Sequence, residues 1–200
     1  MKILKNKEIE QRALTTNFEI RSNEDGQEYF EGYALKFEQW SEVMGDFQEI
    51  IDKDALKNTD LSDVRALINH DNNYILARTS ADNLELEVDG IGLKFKAYPS
   101  DTSYSRDLKE NMRAGNLSKC SFAFRLNWDN PDCEKWEYNE ESKLYQRRIK
   151  DIAKIVDVSI VTNPSYQQTE AVITRALDDF KEKQRKELLK RKLQLELELL

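Results

Sequence analysis

The only histidine in the chain, His70, limits where proton transfer near neutral pH can take place. Histidine is the side chain that changes protonation most readily in this range, so it can serve as a general base. A serine hydroxyl attacks a carbonyl carbon efficiently only when a base within hydrogen-bond reach removes its proton. A serine that a substrate can reach is therefore the partner that His70 would need.

Ser121 is the serine that best fits this requirement. It lies in the segment Lys119-Cys120-Ser121-Phe122-Ala123-Phe124. Because side chains alternate between the two faces of a β-strand, Ser121 faces away from the aromatic side chains and shares its face with small Ala123, which leaves room for a substrate. We predict that Ser121 is a nucleophile and His70 its base, against the alternative that His70 is an ordinary surface or core residue.

A third residue is needed to hold the histidine ring and to stabilise its cation. Asp157 is the best candidate, because it lies among β-branched residues of a predicted strand and a buried carboxylate without a partner is unfavourable. Asp71 is an alternative, although adjacent residues on a strand point to opposite sides. Glu49, near an upstream loop, is a further alternative. Asp157 could also face water at a sheet edge and have no such role.

The composition argues against several classes of function. The net charge is −7 and the pI is about 5.0, whereas non-specific binding to nucleic acid needs an excess of Lys and Arg. The sequence contains no run of about 20 apolar residues that could cross a membrane. One His and two Cys do not make a typical structural zinc site. We expect no cofactor, no metal, no nucleic-acid partner and no membrane span.

The two cysteines, Cys120 and Cys133, bear on the compartment. The chain begins with charged residues rather than with the apolar stretch of a secretory signal. A reducing cytoplasm is therefore the expected environment. Two hundred residues can bury a core without disulfide bonds, so we expect one domain with an appendage.

Asp-Gly pairs and apolar patterns predict the order of the elements. Asp-Gly is a strong hairpin signal, and it occurs at 25–26 and at 89–90. The predicted hairpins are 17–21 with 29–37, and 84–88 with 91–98. The other predicted elements are a short helix at 52–57, a strand at 64–69 that ends at His70, a turn at 71–73, a helix from 101 or 102 to 113, a strand at 117–128, a polar loop at 129–142 and a strand at 145–161.

The two ends of the chain differ from its middle. Residues 1–16 are charged with scattered apolar residues and predict an N-terminal arm. Residues 17–175 contain the predicted strands and would form the domain. Residues 176–200 are rich in Leu, Lys, Glu, Arg and Gln without Gly or Pro, which predicts a helical tail. Its partial apolar stripe favours a partner-binding or scaffold-like tail over a solvated helix face.

Several segments between residues 17 and 175 share one order with a known family. They are Gly32-Tyr33-Ala34 to Phe37, Glu49-Ile50-Ile51, Asp54-Ala55-Leu56, Leu67-Ile68-Asn69-His70-Asp71, Leu76-Ala77-Arg78-Thr79, 84–93, Gly115 with Cys120-Ser121-Phe122-Ala123-Phe124, and Asp157-Val158-Ser159-Ile160-Val161-Thr162-Asn163-Pro164-Ser165-Tyr166. The last two resemble the G-x(n)-S-F-G-F and E-V-S-x-V-T-x-P-A-Y segments of that family. Together they resemble the tailed-phage prohead maturation proteases of the Hong Kong 97 type.

The resemblance implies roles for the same residues by position. Ser121 falls on the nucleophile of the family, His70 on its base, and Asp157 on the acidic position. The sequence departs from the family at Ala123, which is usually Gly, and at Ser165, which is usually Ala. Asp157 stands where the family usually has Glu, so its side chain is one methylene shorter.

The resemblance also implies a fold and a setting. The fold would be α+β, a mostly antiparallel β-barrel with surrounding helices related to the herpesvirus assembly proteases, followed by a long C-terminal helix. Backbone N–H groups near Thr162-Asn163 would be the oxyanion donors. The enzyme would act in the host cytoplasm, inside the assembling prohead, where it would cleave the scaffolding portion of the major capsid protein, or a separate scaffold, and itself. A recruiting tail and a homo-oligomer are compatible with that setting.

Two other functions remain open from the sequence. One is a non-catalytic capsid-assembly or scaffold module with the same barrel. The other is a β-barrel binding domain whose pocket contains His70. Ser121→Ala would separate an enzyme from a scaffold module, because only an enzyme would lose cleavage. A fluorophosphonate would label Ser121 only if the hydroxyl is activated.

Overall fold

The structure is a computed structural model that describes residues 9–14, 18–117, 119–162 and 170–198. The described residues combine strands with helices, which confirms the predicted α+β class. The strands are β1 (Glu10–Leu14), β2 (Glu19–Ser22), β3 (Glu28–Lys36), β4 (Phe47–Ile51), β5 (Arg65–Ile68), β6 (Asp71–Arg78), β7 (Leu84–Val88), β8 (Gly92–Ala97), β9 (Lys119–Leu126), β10 (Glu134–Asn139), β11 (Leu144–Ile149) and β12 (Ile152–Val161). The α-helices are α1 (Ser103–Arg113) and α2 (Glu170–Glu198).

The strands pair into three sheets. A five-stranded sheet has the order β1-β9-β12-β5-β6, a four-stranded sheet the order β2-β3-β8-β7, and a three-stranded sheet the order β10-β11-β4. Neighbours are antiparallel except β12 with β5 and β11 with β4, which are parallel. Within the described ranges these are open sheets, so the closed barrel implied by the resemblance is not found there.

Both predicted hairpins are confirmed, as β2 with β3 and β7 with β8. In the first turn Gly26 has φ 79°, a left-handed conformation that glycine adopts without a steric penalty. In the second turn Asp89 Oδ1 accepts the N–H groups of Ile91 and Gly92 at 2.7 and 2.9 Å. Such side-chain bonds to the local backbone are the reason that Asp favours turns.

Two local predictions around the first half of the chain are wrong. Residues 52–57 make successive turns rather than a helix, because the Ala55 carbonyl accepts the N–H of Ile152 at 2.9 Å and so is bonded to β12 instead of to a following helical turn. The turn predicted at 71–73 lies too late. Asn69 and His70 make the turn, and Asp71 already begins β6.

The region 129–161 contains three strands where one was predicted. The polar loop predicted at 129–142 includes β10, whose charged residues concealed the alternation of Trp136 and Tyr138. The strand predicted at 145–161 is two strands, because the N–H groups of Lys150 and Asp151 both donate to the Cys133 carbonyl at 2.7 and 3.1 Å. That contact turns the chain between β11 and β12.

Aromatic side chains cover one face of β9. Phe122 and Phe124 are 1% and 0% exposed, and their rings stack with centroids 5.3 Å apart. On β12, Ile155 and Val158 are also buried in the core. Close packing leaves little freedom for main-chain shifts, so these two strands form a rigid support for the side chains that they carry.

The helix α1 has the predicted ends. Thr102 Oγ1 accepts the N–H of Ser105 at 3.2 Å, which caps the first turn, and Gly115 with φ 77° follows the last turn.

The chain divides into two compact units, residues 1–166 and residues 167–200, and α2 lies in the second. None of the helices in the described part of the chain is long and apolar enough to cross a membrane.

Candidate active site

Two neighbouring strands carry three polar side chains on one face of the five-stranded sheet. β9 and β12 are antiparallel, and their register places Ser121 directly opposite Ser159. Directly opposite residues of a strand pair point to the same face, so the two hydroxyls lie close together. Asp157 is two residues from Ser159 on β12 and shares that face. The alternation of side chains along the two strands therefore places a carboxylate and two hydroxyls on one face of the sheet.

His70 reaches this face through a left-handed turn. β5 is the other neighbour of β12, and after it Asn69 and His70 have φ 53° and 59°. Residues other than glycine adopt this region rarely, although Asn tolerates it best. The Asn69 side chain is tied to the end of β12, since its Oδ1 accepts the N–H of Thr162 at 2.9 Å. Backbone strain of this kind is found mainly where the surrounding structure enforces it, often at functional sites.

His70 bridges Ser121 and Asp157. Its Nε2 lies 2.6 Å from Ser121 Oγ, and its Nδ1 lies 2.6 Å from Asp157 Oδ1. Ser121 is 4% exposed, Asp157 is 5% exposed, and the His70 side chain is 11% exposed. Buried hydrogen bonds of this kind meet little competition from water. The structure thus brings together the three residues that the sequence analysis selected.

The positions of the hydrogens between Ser121, His70 and Asp157 follow from which groups can donate. A carboxylate can only accept, so the hydrogen between His70 and Asp157 belongs to Nδ1. In the neutral ring Nε2 is then the acceptor that faces Ser121. Ser121 Oγ also lies 2.9 Å from the carbonyl oxygen of Arg12 in β1. Because the hydroxyl has one hydrogen, it donates mainly to Nε2 or to the Arg12 carbonyl, and only the first arrangement prepares it for attack.

The face of β9 around Ser121 is covered rather than open. Small Ala123 predicted room for a substrate, yet it is 0% exposed. The His70 ring and the Arg12 carbonyl both contact the Ser121 hydroxyl and occupy space beside it. Protein atoms therefore occupy part of the room that the sequence predicted for a substrate beside Ser121.

The alternative carboxylates are engaged elsewhere. Asp71 Oδ1 accepts the backbone N–H of Asn73 at 2.8 Å, which stabilises the start of β6. Glu49 accepts hydrogen bonds from Arg12 and Arg147, at 2.9 and 3.2 Å from its Oε2. Only Asp157 among the three candidates contacts the ring of His70.

The oxyanion donors implied by the resemblance are only partly within the described residues. The Thr162 N–H donates to Asn69 Oδ1, so it is committed to holding the turn before His70. Asn163 lies outside the described residues. The expectation that N–H groups near Thr162-Asn163 face the oxyanion therefore stays a prediction.

Cys120, the neighbour of Ser121, does not fit the role of nucleophile. It is 0% exposed, and burial raises the pKa of its thiol to about 12. The thiolate is the reactive form of cysteine, and a buried thiol with a raised pKa is inert near neutral pH. The alternation of β9 also directs Cys120 to the face opposite Ser121.

A second polar cluster was not identified from the sequence. Five charged side chains form it, and we call it the arginine–glutamate cluster: Glu10, Arg12, Glu49, Glu134 and Arg147. Arg147 lies 2.6 Å from Glu10 and 2.7 Å from Glu134, and Arg12 lies 2.7 Å from Glu10. Glu10 and Arg12 are two residues apart on β1, which places them on one face of the strand. No local sequence pattern predicts that Glu49, Glu134 and Arg147 are their partners.

The arrangement of Ser121, His70 and Asp157 can do nucleophilic acyl transfer. It contains a hydroxyl, a base in contact with it, and a carboxylate that orients the base. In the described ranges, no group of three His, Cys, Asp or Glu side chains is placed to hold a metal ion.

Comparisons with known proteins identify the family. Residues 16–183 match the family described as Caudovirus prohead serine protease. No curated protein sequence matches the chain significantly. The solved structure of the bacteriophage T4 capsid assembly protease, gp21, aligns with 75% of this chain and 98% of its own length, at 15% identity and a TM-score of 0.39. Because the family match spans most of its length, this chain belongs to the caudovirus prohead serine proteases and is a capsid maturation protease.

Proposed function

We propose that this protease is an endopeptidase in which Ser121 is the nucleophile, His70 the general base and Asp157 the residue that orients His70. The observation that carries the proposal is the continuous hydrogen-bonded series from Ser121 through His70 to Asp157, with 2.6 Å at each link. A base at such a distance is within reach of the proton that it removes. Serine, histidine and carboxylate in this order support acyl transfer on unrelated folds.

The proposed reaction has two halves. Ser121 Oγ attacks the carbonyl carbon of the scissile peptide bond while His70 Nε2 takes the hydroxyl proton, and Asp157 stabilises the imidazolium through Nδ1–H. His70 gives that proton to the leaving amine, and an ester remains on Ser121. Water then attacks the ester while His70 takes its proton, which releases the acid and restores the hydroxyl.

We propose that the substrates are the scaffolding portion of the major capsid protein, or a separate scaffold protein, and the enzyme itself. The family assignment supports a substrate in the assembling capsid. The ordered segments that resemble the Hong Kong 97-type proteases support the finer proposal, including action in the host cytoplasm and a relation to the herpesvirus assembly proteases.

We further propose that residues 17–175 are the protease domain, that residues 1–16 are an arm whose strand β1 completes the five-stranded sheet of that domain, and that residues 176–200 are a tail that binds scaffold. Support comes from exposed leucines on α2, which are Leu188, Leu189, Leu193, Leu195 and Leu197, each at least 51% exposed. Apolar side chains in such number on a charged helix fit a helix that binds a partner. A homo-oligomer through the same helix is the alternative.

Co-expression with the major capsid protein of the same phage tests the proposed function. We expect the capsid protein to be shortened at one junction, which intact-mass measurement would map. Ser121→Ala should leave it at full length while shells still assemble. Ser105→Ala, which removes another buried serine hydroxyl outside the site, should cleave normally. Cleavage by the Ser121→Ala protein would contradict the proposal.

A further inference from the structure

Ser159 is a side chain of the active-site region that the proposed mechanism does not use. It is 1% exposed and lies directly opposite Ser121 in the β9–β12 pair. Its Oγ lies 2.7 Å from Asp157 Oδ1 and 3.2 Å from His70 Nδ1. One hydroxyl therefore contacts both the orienting carboxylate and the ring nitrogen that this carboxylate holds.

Donor chemistry fixes the direction of these contacts. The carboxylate has no hydrogen to give, so Ser159 donates to Asp157. This uses the only hydrogen of the hydroxyl and turns its lone pairs toward His70 Nδ1. A lone pair beside Nδ1 is favourable only when Nδ1 carries a hydrogen. Ser159 and Asp157 thus favour the same tautomer, which leaves Nε2 as the acceptor for Ser121.

The Asp157 side chain gains a fixed orientation from the second donor. The terminal torsion of an aspartate has broad preferences, so one hydrogen bond restricts the carboxylate only weakly. Here Asp157 Oδ1 accepts one hydrogen bond from Ser159, which lies on the same strand β12, and one from His70, which lies in the turn between β5 and β6. Rotation of the carboxylate would break both bonds together.

We propose that Ser159 is a positioning residue of the peptidase, which holds Asp157 Oδ1 and the Nδ1–H tautomer of His70 in place for proton transfer. This inference rests on the proposed roles of His70 and Asp157. Ser159 itself does not touch the reacting atoms, so its effect is on the rate of the chemical steps and not on the binding of substrate.

Three replacements of Ser159 separate hydrogen-bond donation from volume. Ala removes the donor, Cys keeps a similar volume with a weak donor, and Thr keeps the hydroxyl on a residue suited to strands. Loss of a hydrogen bond to a charged group corresponds to about a ten- to hundredfold loss of rate. On a peptide that spans the mapped junction, we expect kcat to fall by that factor in the Ala and Cys variants, to recover in the Thr variant, and KM to stay nearly constant.

The matched control is Ser105→Ala, because Ser105 in α1 is also a serine that is 1% exposed. It should keep the wild-type kcat even if its melting temperature falls as much as that of Ser159→Ala. Wild-type kcat in Ser159→Ala, or in Ser159→Cys, would overturn the proposal. In the second case volume, and not donation, would be what matters.

The tautomer of His70 gives a readout that does not depend on activity. Since the chain has one histidine, ¹⁵N-histidine labelling of the full chain yields only two ring nitrogen signals. In a Ser121→Ala background, which prevents self-cleavage, we expect Nδ1 to be the protonated nitrogen. Adding Ser159→Ala should produce a mixture of tautomers and faster exchange of the Nδ1 hydrogen. An unchanged Nδ1 signal would overturn the positioning role.

The two readouts distinguish the two ways of failing. If wild-type protein cleaves nothing but Ser159→Ala still changes the tautomer, the proposed function fails and the positioning of His70 by Ser159 stands. If wild-type protein is active and Ser159→Ala changes neither the His70 tautomer nor kcat, only the positioning inference fails.

Discussion

The molecule contains two clusters of polar side chains with little exposure to solvent: the active-site cluster of Ser121, His70, Asp157 and Ser159, and the arginine–glutamate cluster. Only the first contains a histidine, the residue type that most often acts as a general base. In the second, both cations are arginines, which stay charged in proteins. Each arginine has at least two carboxylate partners. Permanent, mutually paired charges stabilise an arrangement, whereas a histidine between a hydroxyl and a carboxylate can move a proton.

Arg12 connects the two clusters. Its guanidinium pairs with Glu10 and Glu49, while its main-chain carbonyl oxygen lies 2.9 Å from Ser121 Oγ. The position of β1 beside the nucleophile is thus maintained by charges that do not take part in chemistry. The family match begins at residue 16, so β1 precedes the matched part of the chain.

The largest effect should come from removing the charge of Asp157. Asp157→Asn keeps the shape of the side chain but lets the amide favour the wrong tautomer of His70. We expect kcat to fall by about 10⁴-fold, as for the equivalent change in other Ser-His-Asp enzymes. The control is Asp71→Asn, which changes the carboxylate next to His70 in sequence and should stay near wild-type activity. Equal losses in both variants would show that net charge near His70, and not orientation, matters.

Breaking the arginine–glutamate cluster should reduce stability rather than chemistry. Arg147→Met removes the buried arginine partner of Glu134 and leaves Glu10 and Glu49 with Arg12 alone. Loss of one member of a buried ion pair costs about 3–5 kcal/mol. Urea unfolding of the full chain measures this. Arg148→Met is the matched control, because Arg148 is 35% exposed and pairs with Glu38 near the surface, where such pairs contribute about 1 kcal/mol or less. Similar losses in the two variants would contradict the assignment of the cluster.

The pH dependence of stability should also report on this cluster. Burial alone would raise the pKa of Glu10, but the charges of Arg147 and Arg12 outweigh it and lower the pKa to about 2. A carboxyl with a lowered folded-state pKa stabilises the fold at pH above its usual value near 4.5. That contribution is lost as the pH falls from there through about 2. Glu10→Gln should therefore flatten the loss of unfolding free energy in this window, and an unchanged slope would argue against the pairing.

The smallest effect is expected from thiol reagents. Because burial raises the pKa of Cys120 and Cys133 to about 12, iodoacetamide at neutral pH should leave peptidase activity unchanged. Both thiols should react only after unfolding, which mass spectrometry would show. Inhibition that coincides with alkylation of Cys120 in the folded protein would favour a cysteine nucleophile.

The two clusters differ in how far the sequence predicts them. The active-site residues His70, Ser121 and Asp157 could be selected because their side chains suit catalysis and lie in or beside predicted strands. The ordered segments that resemble the family assign the same three roles by position. The partners in the arginine–glutamate cluster lie up to 137 positions apart, as Glu10 and Arg147 do, so their pairing depends on sheet topology that local patterns do not contain. Ser159 shares its face with Asp157 in the pattern alone, but its contact with His70 appears only in three dimensions.

The errors in the fold have the same origin. Residues 52–57 have helix-favouring acids, but a long-range bond from Ile152 to the Ala55 carbonyl replaces a helical one. The break between β11 and β12 depends on the Cys133 carbonyl. Cys133 lies immediately before β10, the strand that polar composition concealed. The hairpins were predictable because Asp-Gly turns are local.

The site of covalent labelling by a fluorophosphonate tests the central claim most directly. The claim is that His70 activates the Ser121 hydroxyl. We expect tandem mass spectrometry of the labelled wild-type chain to locate one adduct on Ser121, and we expect His70→Gln to abolish that adduct while the protein stays folded. An adduct on a different residue, or equal labelling of Ser121 in the His70→Gln variant, would contradict the account.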